Sequence, residues 1–452
     1  MTKSVDPAVD VENTPQPIEV LHESHLSAKQ WLLVVLCTMA SMIEGFDIVA
    51  IAYTAPAISQ DWGVSATDMG VVLSAGVLGM TLGAMFLSFL ADRYGRRIMV
   101  SVSMLIAGIA TSAVIFAGTV AELVVLRVVA GLALGLLVAS LSPLVGEFSP
   151  RRHRTLIISV LIAAASLGAV IGGLLTSVIV AEHGWQSVFL YAGIITVVLG
   201  ILIQLLVPES LAFTIKRHPE LGLEKVNQTL LSLGQAPLAA LPIVPESVSR
   251  ESSTVFALLI PARRVTTILT WAAFFAGFLV VYFITSWMPQ ILTNAGLSQE
   301  KAIQATAAIP FGSLIGTLLI GWLAKWAAIN RIIAAAFIAG TAVMLVLSFL
   351  VRDIASMSFS LIWIMLFLIG IFVMGAFSNL YNIALAVYPV QVRSTGLGWA
   401  AGLGRAGAVI SPFLAGVLMG MGVSLPALFL YFAIPTVAAA GLVYLINMRE
   451  MP

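Results

Sequence analysis

Twelve apolar stretches, each about 20 residues long or longer, constrain the fold of this 452-residue chain more than any other feature. A helix of about 20 apolar residues crosses the roughly 30 Å hydrocarbon core of a bilayer. Composition agrees, because 60% of the residues are hydrophobic and 10% are charged, whereas soluble proteins carry about 25% charged residues. We therefore predict an all-α membrane protein with twelve transmembrane helices. The stretches cover residues 31–56, 68–90, 97–118, 121–146, 155–180, 186–207, 264–290, 303–326, 330–350, 357–387, 394–420 and 424–447.

Polar segments divide the chain into four parts. Residues 1–30 are polar and acidic and lack the basic start and short apolar core of a secretory signal peptide, so we predict a disordered cytoplasmic tail. Residues 31–207 and 264–448 each hold six of the stretches and are predicted to form two six-helix bundles. Residues 208–263 contain prolines and basic residues, which indicates a cytoplasmic linker with a short helix near residues 220–233.

Basic residues concentrate in two short loops, one after the second apolar stretch and one after the fourth. They are Arg93, Arg96, Arg97, Arg151, Arg152 and Arg154. Loops rich in Lys and Arg stay on the cytoplasmic side of a membrane. We therefore expect both loops, and with them both chain termini, to be cytoplasmic.

The two halves share traces of a duplication. Pro, Arg and Gly recur at one offset, 239 residues, between the segments 150–168 and 389–407. A second pair of related segments, 91–97 and 324–330, has lost its polar residues in the later copy. Duplicated halves that meet at a central site are an architecture of transporters that work by alternating access.

Two acids, Glu44 and Asp47, lie inside the first apolar stretch. An ionised group at membrane depth costs at least about 2.5 to 3.5 kcal/mol, so such groups persist mainly where they face a polar cavity and have a function. Their spacing of three places both on one face of a helix. We predict that at least one of them handles a proton, gates or contacts substrate; either could titrate. All five histidines lie outside the stretches, so proton coupling would fall to carboxylates.

Two arginines, Arg127 and Arg405, also lie at membrane depth. Arg405 is about 18 Å along the eleventh helix from Arg393, close to the midplane. The second half offers no acid at that depth, so Arg405 either pairs with a first-half acid across the central cavity or is held open for a substrate carboxylate. Arg127 is a second candidate for binding substrate, with a structural role that extends it to the outer surface as the alternative.

Aromatic and amide side chains supply further candidates for substrate contact. Aromatic rings can stack on a ring-bearing substrate, and amides can bond a hydroxyl or carboxylate, although each residue also fits a packing role. The candidates are Tyr53, Tyr282, Tyr381, Trp399, Asn379 and Asn382.

The segment Ala91–Arg97 closely resembles the cytoplasmic signature of the major facilitator superfamily, and Leu126–Gly131 resembles a weaker one. The resemblance implies the fold of that superfamily, with two pseudo-symmetric six-helix halves. It also implies that the loop is a latch that holds the outward-open state. The residues assigned to this gate are Asp92, Arg93, Gly95, Arg96, Arg97 and Glu147.

A narrower resemblance is to the aromatic acid:proton symporters of that superfamily. It rests on Glu44–Asp47 in the first helix, on Leu206–Ser210 after the sixth, and on Tyr388–Gly407 in the eleventh helix and the loop before it. Many members have Asp where this chain has Glu44. The second cytoplasmic signature is replaced around Trp326, which weakens any gate in that half.

The resemblance implies a monomeric importer of a small aromatic carboxylate of the benzoate, hydroxybenzoate or phenylpropanoate type. Protons and the lipid bilayer would be its other partners, the proton gradient would replace any cofactor, and the inner membrane of a bacterium would be its location. The alternatives are a transporter of aliphatic or dicarboxylic acids such as muconate, and an exporter of organic acids.

Other function classes find little support. The single cysteine excludes a disulfide framework and a cysteine metal site. A membrane-embedded enzyme is disfavoured because no nucleophile and base lie together, and a sensor because no segment could hold a signalling domain. No basic patch indicates nucleic acid, and no glycine-rich phosphate loop indicates a nucleotide-driven pump.

Overall fold

In the computed structural model, the described part of the chain forms twelve helices long and apolar enough to span a membrane, and all its regular elements are helical. This confirms the all-α, twelve-helix prediction for a multi-pass membrane protein. The structure describes Leu21 and residues 26–217, 222–238, 240, 258–261, 263–389 and 392–446. The helices are α1 Ala28–Trp62, α2 Ala66–Phe86, α3 Arg96–Phe116, α4 Val120–Glu147, α5 Arg151–His183, α6 Trp185–Leu206, α7 Arg264–Asn294, α8 Gln299–Leu323, α9 Ile329–Ser356, α10 Phe359–Val387, α11 Arg393–Gly420 and α12 Leu425–Leu445.

Most of the predicted tail, residues 1–20 and 22–25, lies outside the described residues. Helix α1 begins after Ser27, whose hydroxyl accepts a hydrogen bond from the Gln30 amide while the Gln30 side chain accepts one from the Ser27 amide. This reciprocal cap satisfies two amides that a helix start would otherwise leave unpaired. The predicted end at residue 56 was too early, because the helix continues through Pro56 to Trp62 and stops at Gly63, where φ is +63°.

Glycines allow the helices of the first half to pack closely. A Cβ on Gly131 of α4 would lie 3.0 Å from the Met80 amide nitrogen of α2. A Cβ on Gly168 of α5 would collide with the Met42 backbone of α1. The absence of a side chain at both glycines lets the helix backbones approach, and in lipid such close packing replaces the hydrophobic drive that holds soluble helices together.

Among the described residues, the α2 and α11 helices of the two halves are in close contact at one end of the bundle. We call the end with the arginine-rich loops the basic end and the other the far end. At the far end a Cβ on Gly70 of α2 would lie 2.9 Å from the Pro412 carbonyl oxygen of α11, and Trp287 of α7 donates to the same oxygen at 2.9 Å. One apolar core joins both halves there, whereas a second core at the basic end involves the first half and the segment after it.

Two short helices follow α6 and pack on the first half. They cover Leu211–Arg217 and Gly222–Ser232. Val226 and Leu230 of the second short helix are fully buried in the core that contains residues of α1, α3, α4 and α6. The chain between the halves is therefore anchored to the first half at its start.

Candidate functional site

Arg405 of α11 lies where three other helices converge. Its guanidinium acts electrostatically on the Glu44 carboxylate of α1 and on the hydroxyls of Tyr282 of α7 and Tyr381 of α10. Among the described residues it forms no ion pair and no hydrogen bond. The structure thus brings four of the predicted site residues together, with one contributed by the first half and three by the second. The guanidinium keeps its donors free for an anion.

Glu44 faces the same region from α1. Its side chain is buried, with 9% of the residue exposed. No described residue forms a hydrogen bond or ion pair with this carboxylate, although the charges of Arg405 and Asp47 both act on it. A buried carboxylate without a fixed partner is a group that can exchange its partner or its proton.

Asp47, one turn along α1, is held within the first half. Arg127 of α4 places Nη1 3.4 Å from each Asp47 carboxylate oxygen, and Thr111 of α3 donates to Oδ1 at 3.1 Å. Arg127 also donates to the Thr111 hydroxyl at 3.1 Å, and its guanidinium carbon lies 5.1 Å from the centre of the Phe189 ring of α6. With 2% exposure Arg127 does not extend to the outer surface. This cluster fixes both charges.

Aromatic rings form a wall beside Arg405. The Phe274 ring centre lies 5.1 Å from that of Tyr381, and the Phe278 ring centre lies 4.6 Å from that of Phe377, both edge to face. Tyr282 extends the α7 row, with its ring centre 6.0 Å from Phe278. We call these five residues the aromatic wall. The sequence-based prediction did not include the three phenylalanines of this wall. Their spacing of four residues from one another or from a tyrosine on the same helix is nevertheless present in the sequence.

The two predicted asparagines of α10 are tied to the helix framework. The Asn379 side chain is buried and donates to the carbonyl oxygens of Thr317 on α8 at 3.2 Å and of Gly375 at 2.9 Å. The Asn382 amide donates to the Asn379 side-chain oxygen at 2.9 Å. Asn382 is the more exposed of the pair, so it is the one with acceptor capacity to spare.

A cavity of about 540 Å³ separates α2 from α11 on the basic-end side of Arg405. Thr81 and Met85 line it from α2, and Trp399, Gly402 and Arg405 line it from α11. The same two helices are in close contact at the far end, so the halves are splayed apart towards the basic end. The site is open on that side.

Tyr53, also a candidate, does not line this cavity. Its ring is buried, and its hydroxyl donates to the Ala169 carbonyl oxygen of α5 at 3.2 Å. It lines a second, smaller cavity at the junction of the two halves. Trp399, in contrast, is 39% exposed beside Arg405, with its ring centre 6.0 Å from that of Trp271.

The predicted gate residues form an ion-pair network at the basic end. Arg96 pairs with Glu147 at the end of α4 and lies 3.9 Å from Asp92, while Ser210 donates to Glu147 at 2.9 Å. Arg93 stacks over Tyr94, with its guanidinium carbon 5.5 Å from the ring centre. The Asp92 side chain is 73% exposed and does not cap the start of α3.

That cap comes from Glu209 instead. Its carboxylate accepts hydrogen bonds from the backbone amides of Arg97 at 2.9 Å and Ile98 at 3.3 Å, at the positive end of α3. Gly95 precedes them with φ of +109°, and a side chain there would meet the Glu209 carboxylate. Glu209 belongs to the segment Leu206–Ser210 that carries the family resemblance, but no local pattern indicates its partner.

Metal binding finds no support in the described part of the chain. There, no group of three or more His, Cys, Asp or Glu side chains is placed to hold a metal ion.

Comparisons with known proteins agree with this geometry. A family model described as Major Facilitator Superfamily matches residues 37–376. A gallate transporter of Pseudomonas putida is 31% identical over 96% of this chain and 94% of its own length. The 4-hydroxybenzoate transporter PcaK of Acinetobacter baylyi is 32% identical over 93% of this chain and 92% of its own.

A solved structure shows the same fold. The xylose transporter XylE from E. coli, in an inward-open conformation, superposes with a TM-score of 0.71 at 15% identity, covering 94% of this chain and 97% of that one. The family model spans most of the described helices, and the two relatives span nearly the whole chain. The prediction of a transporter is therefore confirmed. The chain belongs to the Major Facilitator Superfamily, in the group of its aromatic acid:proton symporters.

Proposed function

We propose that this protein imports a small aromatic carboxylate into the cytoplasm together with a proton, by alternating access. The single observation that carries the proposal is Arg405, a guanidinium at membrane depth without a fixed anion, beside a wall of aromatic side chains. A planar guanidinium can bind a carboxylate through two hydrogen bonds. The partly exposed members of the wall, Tyr282, Phe377 and Tyr381, offer ring edges and faces to the apolar part of the same molecule.

The relatives support the substrate class. Gallate and 4-hydroxybenzoate, the acids named for them, each combine one ring with one carboxylate. Such a molecule fits a site with a cation at one end and an aromatic surface next to it. Aliphatic acids would leave the aromatic wall without a ring to stack on.

Glu44 is the carboxylate we assign to the proton. Asp47 already has Arg127 and Thr111 as partners, so its charge is balanced within the first half. Among the described residues, the opposite charge that acts on Glu44 is that of Arg405 across the site. When the substrate carboxylate occupies Arg405, Glu44 loses that compensation and is favoured in its protonated form. Substrate and proton would then move together.

The gate follows from the two ends of the bundle. Basic loops stay cytoplasmic, so the splayed side would face the cytoplasm and this structure would be the inward-open state. The network of Arg96, Glu147 and Glu209 joins the first half to the segment that follows α6. In the outward-open state, we propose that the latch loop closes against the basic-end part of α11.

The remaining assignments follow the same reasoning. We propose the inner membrane of a bacterium as the location, a monomer as the functional unit, and no cofactor beyond the proton gradient. One proton carried with a monoanion moves no net charge, so the pH gradient alone would drive uptake. A second proton would add about 2.3 kcal/mol per 100 mV of inside-negative potential.

Uptake into proteoliposomes tests the proposal. Labelled benzoate, hydroxybenzoates and an aliphatic dicarboxylate would be supplied with an inward proton gradient and with the gradient collapsed by an ionophore. We expect aromatic acids to accumulate only with the gradient. Uptake of the dicarboxylate alone would overturn the substrate class, and aromatic uptake that is indifferent to the gradient would overturn the coupling. Protein-free liposomes control for passive entry of the neutral acids.

A further inference from the structure

A second cavity, of about 180 Å³, lies where the two halves meet. Residues from α1 and α5 of the first half and from α7, α8 and α10 of the second line it. Its walls are mainly apolar, with Ile48 and Val49 on one side and Ile309 and Met374 on the other. A dry apolar cavity of about 150 Å³ is large enough to bind benzene. The size and lining therefore suit one aromatic ring.

This junction cavity lies next to the charged site, on the side of the far end. Gly45, which lines it, follows Glu44 directly, and Thr285, which lines it from α7, is three residues beyond Tyr282. At a rise of 1.5 Å per residue, Ile48 is about 6 Å beyond Glu44 along α1. The cavity therefore lies further from the basic end than Arg405 and its neighbours. A molecule whose carboxylate binds Arg405 could extend its ring in this direction.

Three residues of the lining, Ser166, Thr285 and Ser313, carry a hydroxyl that could face a ligand. All three residues are partly exposed, and no described residue forms a hydrogen bond with their side chains. The other hydroxyls of the cavity are already used, because Thr306 donates to the Ala302 carbonyl oxygen at 2.8 Å and Tyr53 to Ala169 at 3.2 Å. The three free hydroxyls are the polar groups left to meet a ligand.

We propose that the junction cavity is the subsite for the substituted end of the ring, and that Ser166, Thr285 and Ser313 bind its phenolic hydroxyls. The inference rests on the proposed function and narrows the substrate to hydroxylated aromatic acids. A phenolic hydroxyl both donates and accepts, as do Ser and Thr, so the pairing is complementary. A site built to bond a hydroxyl rejects the analogue that lacks it, because its own polar groups are then left unpaired.

The three hydroxyls also come from both halves. Ser166 is on α5, whereas Thr285 and Ser313 are on α7 and α8. A hydroxylated ring bound among them would bridge the halves close to the end where they are already in contact. Recognition of the ring would then contribute to closing the far end.

Competition between acids of one series tests the inference. Uptake of benzoate, 3-hydroxybenzoate, 4-hydroxybenzoate and 3,4-dihydroxybenzoate would be measured for the wild type and for Ser166→Ala, Thr285→Val and Ser313→Ala, singly and together. We expect the wild type to prefer a hydroxylated acid. In the triple variant, the ratio of hydroxylated-acid uptake to benzoate uptake should fall about tenfold, since an unpaired buried polar group costs about 1 to 3 kcal/mol. Benzoate uptake should persist.

The matched control is Thr306→Val, which removes a lining hydroxyl that is bonded to its own helix and should leave the preference unchanged. Thr285→Ser should restore what Thr285→Val loses. If the wild type carries benzoate as efficiently as the hydroxylated acids, or if the preference is unchanged in every variant, the subsite is overturned while the proposed function stands. Failure of the wild type to carry any aromatic acid would overturn the proposed function itself.

Should the triple variant lose benzoate uptake as well, the single variants decide. Each single substitution changes one hydroxyl only, so we expect each single variant to fold and to carry benzoate. The preference of that variant for hydroxylated acids can then be compared with that of the wild type. A preference that survives in all three single variants contradicts the subsite.

Discussion

Two arginines at membrane depth, Arg127 in the first half and Arg405 in the second, have opposite environments. Arg127 is 2% exposed, pairs with Asp47, donates to Thr111 and lies over Phe189. Arg405 borders a cavity of about 540 Å³ and has no hydrogen-bonded anion among the described residues. An arginine inside a membrane-spanning helix is thus paired with an acid in the first half and, among the described residues, without such a partner in the second.

The difference indicates where the moving charges are. A buried charge is tolerated when a partner of opposite sign lies beside it, and such a pair has little reason to open. A guanidinium that waits for its anion can accept one that arrives from solution. Both are arginines inside membrane-spanning helices, and their neighbours are what set them apart.

Breaking the first-half pair should have the largest effect. Asp47→Asn or Arg127→Leu alone leaves one buried charge without its partner, which costs about 3 to 5 kcal/mol. The double variant, Asp47→Asn with Arg127→Leu, removes both charges and should recover most of that loss. The midpoint of unfolding of the purified protein in detergent reports it. Arg405→Leu is the comparison and should lower that midpoint little; equal losses at the two arginines would erase the contrast between them.

Removing the second-half guanidinium should abolish binding. Arg405→Ala deletes a charge-assisted contact worth about 2 to 5 kcal/mol, which is at least about 30-fold in affinity. Arg405→Lys keeps the charge but not the planar fork, so it should recover only part of the affinity. Binding of 4-hydroxybenzoate to the purified protein by calorimetry measures both. Normal affinity of Arg405→Ala in folded protein would exclude this residue from the site.

Neutralising Glu44 should uncouple transport from the proton gradient. Glu44→Gln cannot take up a proton, so we expect uptake against a gradient to fall to equilibrium while exchange of labelled for unlabelled acid continues. Glu44→Asp keeps the carboxylate and should retain accumulation. If Glu44→Gln still accumulates the acid, the proton belongs to Asp47 or the coupling is absent.

A smaller effect should appear in the accessibility of α11. Gly402 lines the cavity beside Arg405 and has no atom within 4 Å of an added Cβ, so Gly402→Cys should be tolerated. We expect it to react with a membrane-impermeant maleimide added from the basic end, and 4-hydroxybenzoate to slow the reaction. The wild type is the control, because its one cysteine, Cys37, is fully buried. Rapid labelling that substrate does not slow would separate this cavity from the binding site.

The fold could be predicted from the sequence almost completely. Twelve apolar stretches impose twelve helices, since backbone polar groups in lipid must be satisfied within each span. The helix ends were harder to predict, because they depend on local caps such as Ser27 with Gln30 and on whether a proline such as Pro56 interrupts a helix.

The site could be predicted only in its parts. Glu44 and Arg405 were identifiable because charge is costly in lipid. The partner of Asp47 could not be identified, because Arg127 lies 80 residues away in the sequence. A position at the site and one at the outer surface were both possible for that arginine. The wall phenylalanines were hidden in an apolar background where most rings only pack. The contact between Glu209 and the start of α3 depends on how the chain turns after α6, which no local pattern encodes.

The ion pair of the first half also bears on how the protein enters its membrane. Helix α1 carries two acids, each costing about 2.5 to 3.5 kcal/mol at the centre of a lone span. The groups that stabilise Asp47, Thr111 and Arg127, are on α3 and α4 and are synthesised 64 and 80 residues later. Before α3 and α4 are synthesised, the first helix would therefore insert into the membrane only weakly. Its stable insertion would await the arrival of the fourth.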